Sequence, residues 1–186
     1  MRLFYAVEIP EDIKRNVWRE VKKFEDLPVK LVSIHHYHIT LLFLGEVEAK
    51  NVELLANAIE KNTFPKFYMT LKGMGAFYDK RGAVKVIYKD VGQGRDELRE
   101  INQYLTERSG EALESKDRRP YEPHLTLARG AVRSRSVTEA IKERIDQLSG
   151  EGGEYKFLVK EILLIRSDLT NHGSEYRLVA KLLLSQ

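Results

Sequence analysis

His38-Ile39-Thr40-Leu41-Leu42-Phe43-Leu44-Gly45 has a near copy in Pro123-His124-Leu125-Thr126-Leu127-Ala128-Arg129, whose histidine lies 86 positions further on. Alternation of polar and apolar residues is the period of a β-strand, so each His/Thr pair shares one strand face. Ile39 and Leu41, like Leu125 and Leu127, then point the other way into a core. A single His-x-Thr arises often by chance. Two of them in the same apolar frame point to a duplicated site with facing imidazoles, able to supply a general acid and a general base.

The chain on either side repeats this theme. A strand at about 3–9 ends at Pro10, and Ile13, Val17, Val21 and Phe24 follow at helical spacing. After the first His-x-Thr strand (37–44), a helix over 47–61 presents Val52, Leu55, Ala56 and Ile59 on one face. Strands at 67–71 and 84–88 are separated by a break around Gly73 and Gly75 and a turn at Lys80-Arg81-Gly82. A helix over 95–108 leads through a loop to the second motif. Ser136-Val137-Thr138-Glu139 has the form of a capping box for a helix carrying Val137, Ile141, Ile145 and Leu148. Two closing strands, 157–165 and 176–184, are joined by a polar link from Ser167 to Ser174. The pattern predicts an α+β protein of two interlocked lobes, each with an antiparallel sheet backed by helices.

Composition narrows the chemistry. The absence of cysteine in 186 residues removes disulfides, thiolate metal sites and thiol catalysis. With 42% hydrophobic and 32% charged residues the chain reads as globular rather than disordered. No apolar run approaches the roughly 18 residues of a membrane span, and no signal-peptide core develops before Glu8 and Pro10, so a cytoplasmic protein without membrane partners is expected. The net charge of +3 is unevenly placed: Lys116, Arg118, Arg119, Arg129, Arg133 and Arg135 against Asp117 and Glu122 give residues 116–135 a net +4. A solvated basic face is the commoner meaning of such a cluster. Here it surrounds His124, and a positive field around an acid/base histidine favours a phosphate or polynucleotide substrate.

Both motifs resemble the two H-x-[TS]-x signatures of the 2H phosphoesterase superfamily, and more closely those of its RNA 2′,3′-cyclic phosphodiesterase family, first described as 2′-5′ RNA ligases. His38 through Gly45 match the family's first motif, and Pro123 through Arg129 its second. Leu3-Phe4-Tyr5-Ala6-Val7 is similar to its opening strand. Arg166-Ser167-Asp168-Leu169, with Gly173 and Tyr176, is similar to its closing segment. The resemblance implies one domain over residues 1–186, built of two pseudo-symmetric interlocked lobes whose antiparallel sheets form a cleft with helices outside. It implies hydrolysis of RNA 2′,3′-cyclic phosphate ends to 2′-phosphates, together with reversible 2′-5′ RNA ligation by the same two groups. His124 is then the general base and His38 the acid that protonates the leaving 3′-oxygen. Thr40, Thr126 and Arg129 bind the phosphate. The expected substrate is a transfer RNA half or an oligonucleotide with a cyclic phosphate end, acted on by a monomer without metal or cofactor.

Other readings of single residues carry weight. Thr40 and Thr126 are ordinary β-formers, His35 and His36 read as surface or hinge residues ahead of the strand, and His172 reads as a surface group. Strict strand parity places Arg129 opposite His124, so it reaches the phosphate only where the strand bends near Ala128. Phe43 reads as core and Gly45 as a turn residue. Arg118, Arg119 and Tyr121 are the candidates for RNA contacts. Two rival functions remain: a metallohydrolase using His36, His38 and His124 as ligands, and a non-catalytic RNA-binding module in the same cleft.

Overall fold

The computed structural model describes residues 1–60, 64–110, 120–132, 134–171 and 173–185. Its strands are β1 (Arg2–Glu8), β2 (Lys30–Leu31), β3 (His38–Glu46), β4 (Phe67–Tyr78), β5 (Val84–Val91), β6 (His124–Val132), β7 (Tyr155–Val159), β8 (Glu161–Thr170) and β9 (Gly173–Leu183). The helices are α1 (Glu11–Val21), α2 (Ala49–Glu60), α3 (Arg95–Ser109) and α4 (Arg135–Glu151). Spatial order along the sheet is β7-β4-β5-β6-β3-β1-β8-β9, with β2 added beside β6.

Every ladder is antiparallel, and one joint is thin. β3 and β6, the two His-x-Thr strands, meet through the single pair Ile39↔Leu125. The path therefore divides into two four-strand halves, β7-β4-β5-β6 and β3-β1-β8-β9, hinged at the motifs. The chain builds β1 and β3 of one half, all of the other, and then returns to finish the first with β8 and β9. This is the α+β, two-sheet arrangement that the sequence predicts, with the sheets fused at one residue pair.

Side-chain alternation explains which face each half buries. Leu3, Tyr5, Val7, Ile39 and Leu41 point to one side, where they pack with Val17 and Val21 of α1, Leu55 of α2 and Leu98, Ile101 and Leu105 of α3. Ile87, Val84 and Ala128 meet Ile141, Ile145 and Leu148 of α4 on the corresponding side of the second half. The opposite faces carry no helix among the described elements. They hold the two histidines. No helix among the described residues is long and apolar enough to cross a membrane.

Four sequence expectations change. β4 runs unbroken through Gly73 and Gly75: Gly73 (φ 62°) takes up a register shift, and a Cβ on Gly75 would lie 2.5 Å from the Tyr88 hydroxyl that covers it. The apolar run 157–165 is two strands, because the chain breaks at Lys160 and sends β7 to β4 and β8 to β1. Ser134, not Ser136, precedes the first turn of α4, so the expected capping box does not form. Gly45 (φ 74°) sits inside β3 beside a register shift rather than in a turn.

One buried ion pair ties the halves together behind the sheet. Lys89 of β5 is fully buried, and its Nζ donates to Glu20 Oε2 of α1 at 2.6 Å. The other oxygen of Glu20 accepts from the Gly153 backbone at 3.0 Å and from the Tyr155 hydroxyl at 2.7 Å. Removing one member strands the other without water, which costs about 3–5 kcal/mol in comparable pairs. Lys89→Met is expected to lower the unfolding free energy by about that amount in urea titration, and adding Glu20→Gln to recover part of the loss. A single-variant change below about 1 kcal/mol would contradict this role.

Candidate functional site

The register Ile39↔Leu125 sets His38 across from Thr126 and Thr40 across from His124. The histidines stand on the diagonal of this square, a spacing of about 7–8 Å in antiparallel sheets. Each ring is held the same way: Nδ1 lies 2.7 Å from the backbone carbonyl two residues upstream, that of His36 for His38 and that of Glu122 for His124. A carbonyl only accepts, so Nδ1 carries the hydrogen and Nε2 is left as the free, basic nitrogen.

The strands then do something alternation does not foresee. Against β1, Tyr5 pairs with Leu42 and Ala6 with Thr40, leaving Leu41 as an extra residue. Against β5, Ile87 pairs with Ala128 and Tyr88 with Thr126, leaving Leu127. Each is a β-bulge three residues after the histidine, and an inserted residue reverses the facing of everything beyond it. Phe43 and Arg129, at equivalent positions, are thereby turned to the face of the histidines. Arg129 is exposed there, and its charge acts on His38, His124 and Tyr176 alike. Phe43, read from sequence as core, is 61% exposed, with its ring 5.8 Å from Phe4.

Aromatic rings wall both histidines. Phe4 and Tyr176 lie 5.0 and 5.5 Å from His38. Phe77 and Tyr88 lie 4.9 and 5.5 Å from His124. His36 is not a plain surface group, since its ring meets Tyr176 at 4.6 Å. A carboxylate at the end of the neighbouring strand pairs with each motif, Glu8 with His38 and Asp90 with His124. Each is gripped by a cation from the helix that follows: Lys14 reaches Glu8 at 3.1 Å, and Arg95 reaches Asp90 at 2.5 Å. Arg95 also holds Glu122 at 2.8 Å, aided by Arg99 at 3.0 Å, so the residue whose carbonyl orients His124 is fixed from its side chain as well.

Of the sequence candidates, His38, Thr40, His124, Thr126 and Arg129 come together. Tyr121 is engaged in bracing, its hydroxyl donating to the Thr40 carbonyl at 2.9 Å and its ring packed on the main core. Arg118 and Arg119 lie outside the described residues, as do Lys116, Arg133 and His172. Sequence reasoning missed Arg95, Glu122 and Phe43. Nothing local marks Arg95, and the bulge that turns Phe43 exists only in the paired sheet. Among the described residues no three His, Asp or Glu side chains gather as a metal-ligand set, which leaves the His36/His38/His124 metallohydrolase reading without support from geometry.

Comparison with known proteins gives one consistent answer. Residues 10–171 match the family model of the 2′-5′ RNA ligase superfamily. The RNA 2′,3′-cyclic phosphodiesterase of Methanocaldococcus jannaschii is 32% identical over 180 residues, covering 96% of this chain and 98% of that protein. A crystal structure from Thermus thermophilus superposes with a TM-score of 0.75 at 26% identity, covering 99% of this chain and 98% of its own. The Escherichia coli LigT complex with 3′-AMP shares the fold, with a TM-score of 0.78, 23% identity, and coverage of 100% and 98%.

The electrostatics separate the two imidazoles. Burial pushes His38 from the usual 6.5 down to about 4, outweighing the His36 carbonyl bond that favours its proton. Burial also lowers His124, but the Glu122 carbonyl and the carboxylates of Asp90 and Glu122 act against it. NMR titration of the free protein is expected to show the His38 ring changing charge near pH 4 and His124 below 6.5. Added inorganic phosphate should raise both midpoints, since an anion between the rings favours their charged forms. A His38 midpoint at or above 6.5, or no response to phosphate, would contradict this geometry.

Proposed function

Since the chain belongs to the 2′-5′ RNA ligase superfamily, we propose that it hydrolyses RNA 2′,3′-cyclic phosphate ends to 2′-phosphates by two-histidine acid/base catalysis. The observation that carries this reading is the matched pair of Nδ1-to-carbonyl bonds, each leaving Nε2 available on histidines that the Ile39↔Leu125 pair sets on one sheet face. His124 takes a proton from water as its oxygen attacks phosphorus. The bond from phosphorus to the 3′-oxygen breaks, and His38 delivers its proton to that oxygen. Thr40 and Thr126 donate to the non-bridging oxygens, and Arg129 offsets their charge. The assignment of acid and base follows the family resemblance. Protonation of His38 in the complex is helped by the phosphate anion beside it, which opposes the effect of burial. With the 5′-hydroxyl of a second RNA in place of water, the same transfers join that oxygen to phosphorus as the 3′-oxygen leaves, which is 2′-5′ ligation, and their reverse restores the cyclic end.

No step requires a metal, because both proton transfers and the charge stabilisation fall to side chains. Exposed Phe43 offers its ring to the terminal base. We take the chain as one domain of two pseudo-symmetric lobes, acting as a cytoplasmic monomer on transfer RNA halves or short oligonucleotides.

The test is an RNA with a 2′,3′-cyclic end. Chromatography of the product is expected to give the 2′-phosphate, with chelator making no difference. His38→Ala and His124→Ala should each cut kcat by at least ~10²–10⁴-fold without changing the melting temperature, as loss of a proton-transfer group does. Thr40→Ala and Thr126→Ala should be milder, and Phe43→Ala should raise KM more than it lowers kcat. A 3′-phosphate product would reverse the leaving group. Near-parental activity in either histidine variant would end the two-histidine reading, and full loss in chelator would favour the metal one.

A further inference from the structure

The open face that carries His124 continues across three more strands. Directly opposed residues of antiparallel strands share a face, and His124, Asp90 and Lys72 stand opposite one another on β6, β5 and β4. Along β4, Leu71 and Met69 turn to the core, so Thr70 and Tyr68 share the face of Lys72; Thr70 itself is buried there, its hydroxyl accepting from the Gln93 backbone at 2.9 Å, and Tyr68 is the exposed one. On β7, Lys156 is opposite Thr70 and Leu158 opposite Tyr68. Tyr68 is 51% exposed, and Lys156 Nζ sits 4.7 Å from its ring centre. Lys72 and Lys156 are both exposed, and neither is paired with a carboxylate among the described residues. The acid on this face, Asp90, is already neutralised by Arg95. At roughly 4.8 Å between strands, the face extends about 14 Å from β6 to β7, room for a short run of nucleotides.

The corresponding face beyond His38 has different chemistry. Leu163, Ile165 and Leu178 line it beside Glu8, and its Lys181 is held by Glu161 at 2.9 Å. Among the described residues of these two faces, the cations without a carboxylate partner lie on the second half, together with the exposed ring of Tyr68. We propose that the open face of β5, β4 and β7 is the track for the single-stranded RNA that precedes the cyclic end, with Tyr68 as a base-stacking platform and Lys72 and Lys156 as phosphate contacts. Stacking on an exposed tyrosine tolerates any base, and lysines read phosphates without regard to sequence, so the track sets preference for chain length rather than for sequence. The location of the strand's end rests on the function proposed above.

Two variants and two substrates test this. Tyr68→Ala and the pair Lys72→Gln/Lys156→Gln change exposed side chains remote from the histidines. On a ten-nucleotide RNA with a cyclic phosphate end, Tyr68→Ala should raise KM roughly tenfold, within the range of one stacked base, and leave kcat unchanged. Adenosine 2′,3′-cyclic phosphate, which has no preceding nucleotides, should be turned over as by the parent. Fluorescence anisotropy with a labelled ten-nucleotide RNA ending in a plain 3′-hydroxyl reads the track without catalysis. The lysine pair should flatten the slope of log affinity against log salt by about 1.4, two contacts at about 0.7 each on a single strand. Unchanged KM and unchanged binding on the long RNA would overturn the track, as would equal losses on both substrates. If the parent turns over neither substrate, the function proposed above fails, and anisotropy alone decides the track.

Discussion

One extra residue in each of two neighbouring strands governs the site. Leu41 and Leu127 are inserted at the same distance from His38 and His124. Without them the fifth residue after each histidine would lie in the core. With them the open face gains a cation from one strand, Arg129, and an aromatic ring from the other, Phe43. The duplicated frame thus carries unlike groups at one position, a positive charge on one strand and a flat apolar ring on the other. Bulges bend strands and increase twist, and here both occur next to the joint where the half-sheets meet through one residue pair. The same distortion that re-aims the side chains therefore lies beside the hinge that separates the halves.

A site built at so thin a joint depends on what braces it. Tyr121 spans it from the second motif to the Thr40 carbonyl, and Asn102 of α3 donates to the Leu41 carbonyl at the bulge itself, at 2.7 Å. Behind the sheet, Lys89 and Glu20 join β5 to α1. The grip on Asp90 and Glu122 by Arg95 fixes the surroundings of His124, whereas Glu8, the carboxylate opposite His38, is held by Lys14. The two imidazoles thus share one mode of attachment and differ in field, with carboxylates near His124 alone opposing the effect of burial.

The paired His-x-Thr strands, the α+β class and the two closing strands are legible in the sequence, because periodicity and motif copies are local signals, whereas the return of those strands to β1 is not. Phe43 and Arg129 are not. Strict alternation puts both on the wrong face, and a bulge is a property of pairing with β1 and β5, not of the strand that contains it. The run Phe157 to Ile165 reads as one strand for a related reason: apolar periodicity continues through Lys160 while the hydrogen-bonding partner changes. Arg95 opens a helix and looks like any exposed arginine until Asp90 and Glu122 arrive beside it from elsewhere in the chain.

The central claim, that two bulged strands assemble one phosphate site, is tested most directly by a crystal structure with adenosine 2′-phosphate bound. The account predicts the phosphate between the rings, within hydrogen-bond reach of both Nε2 atoms and of the Thr40 and Thr126 hydroxyls, with Arg129 turned toward it and the adenine against Phe43. A phosphate touching one histidine only, or bound with Arg129 directed away, would contradict it.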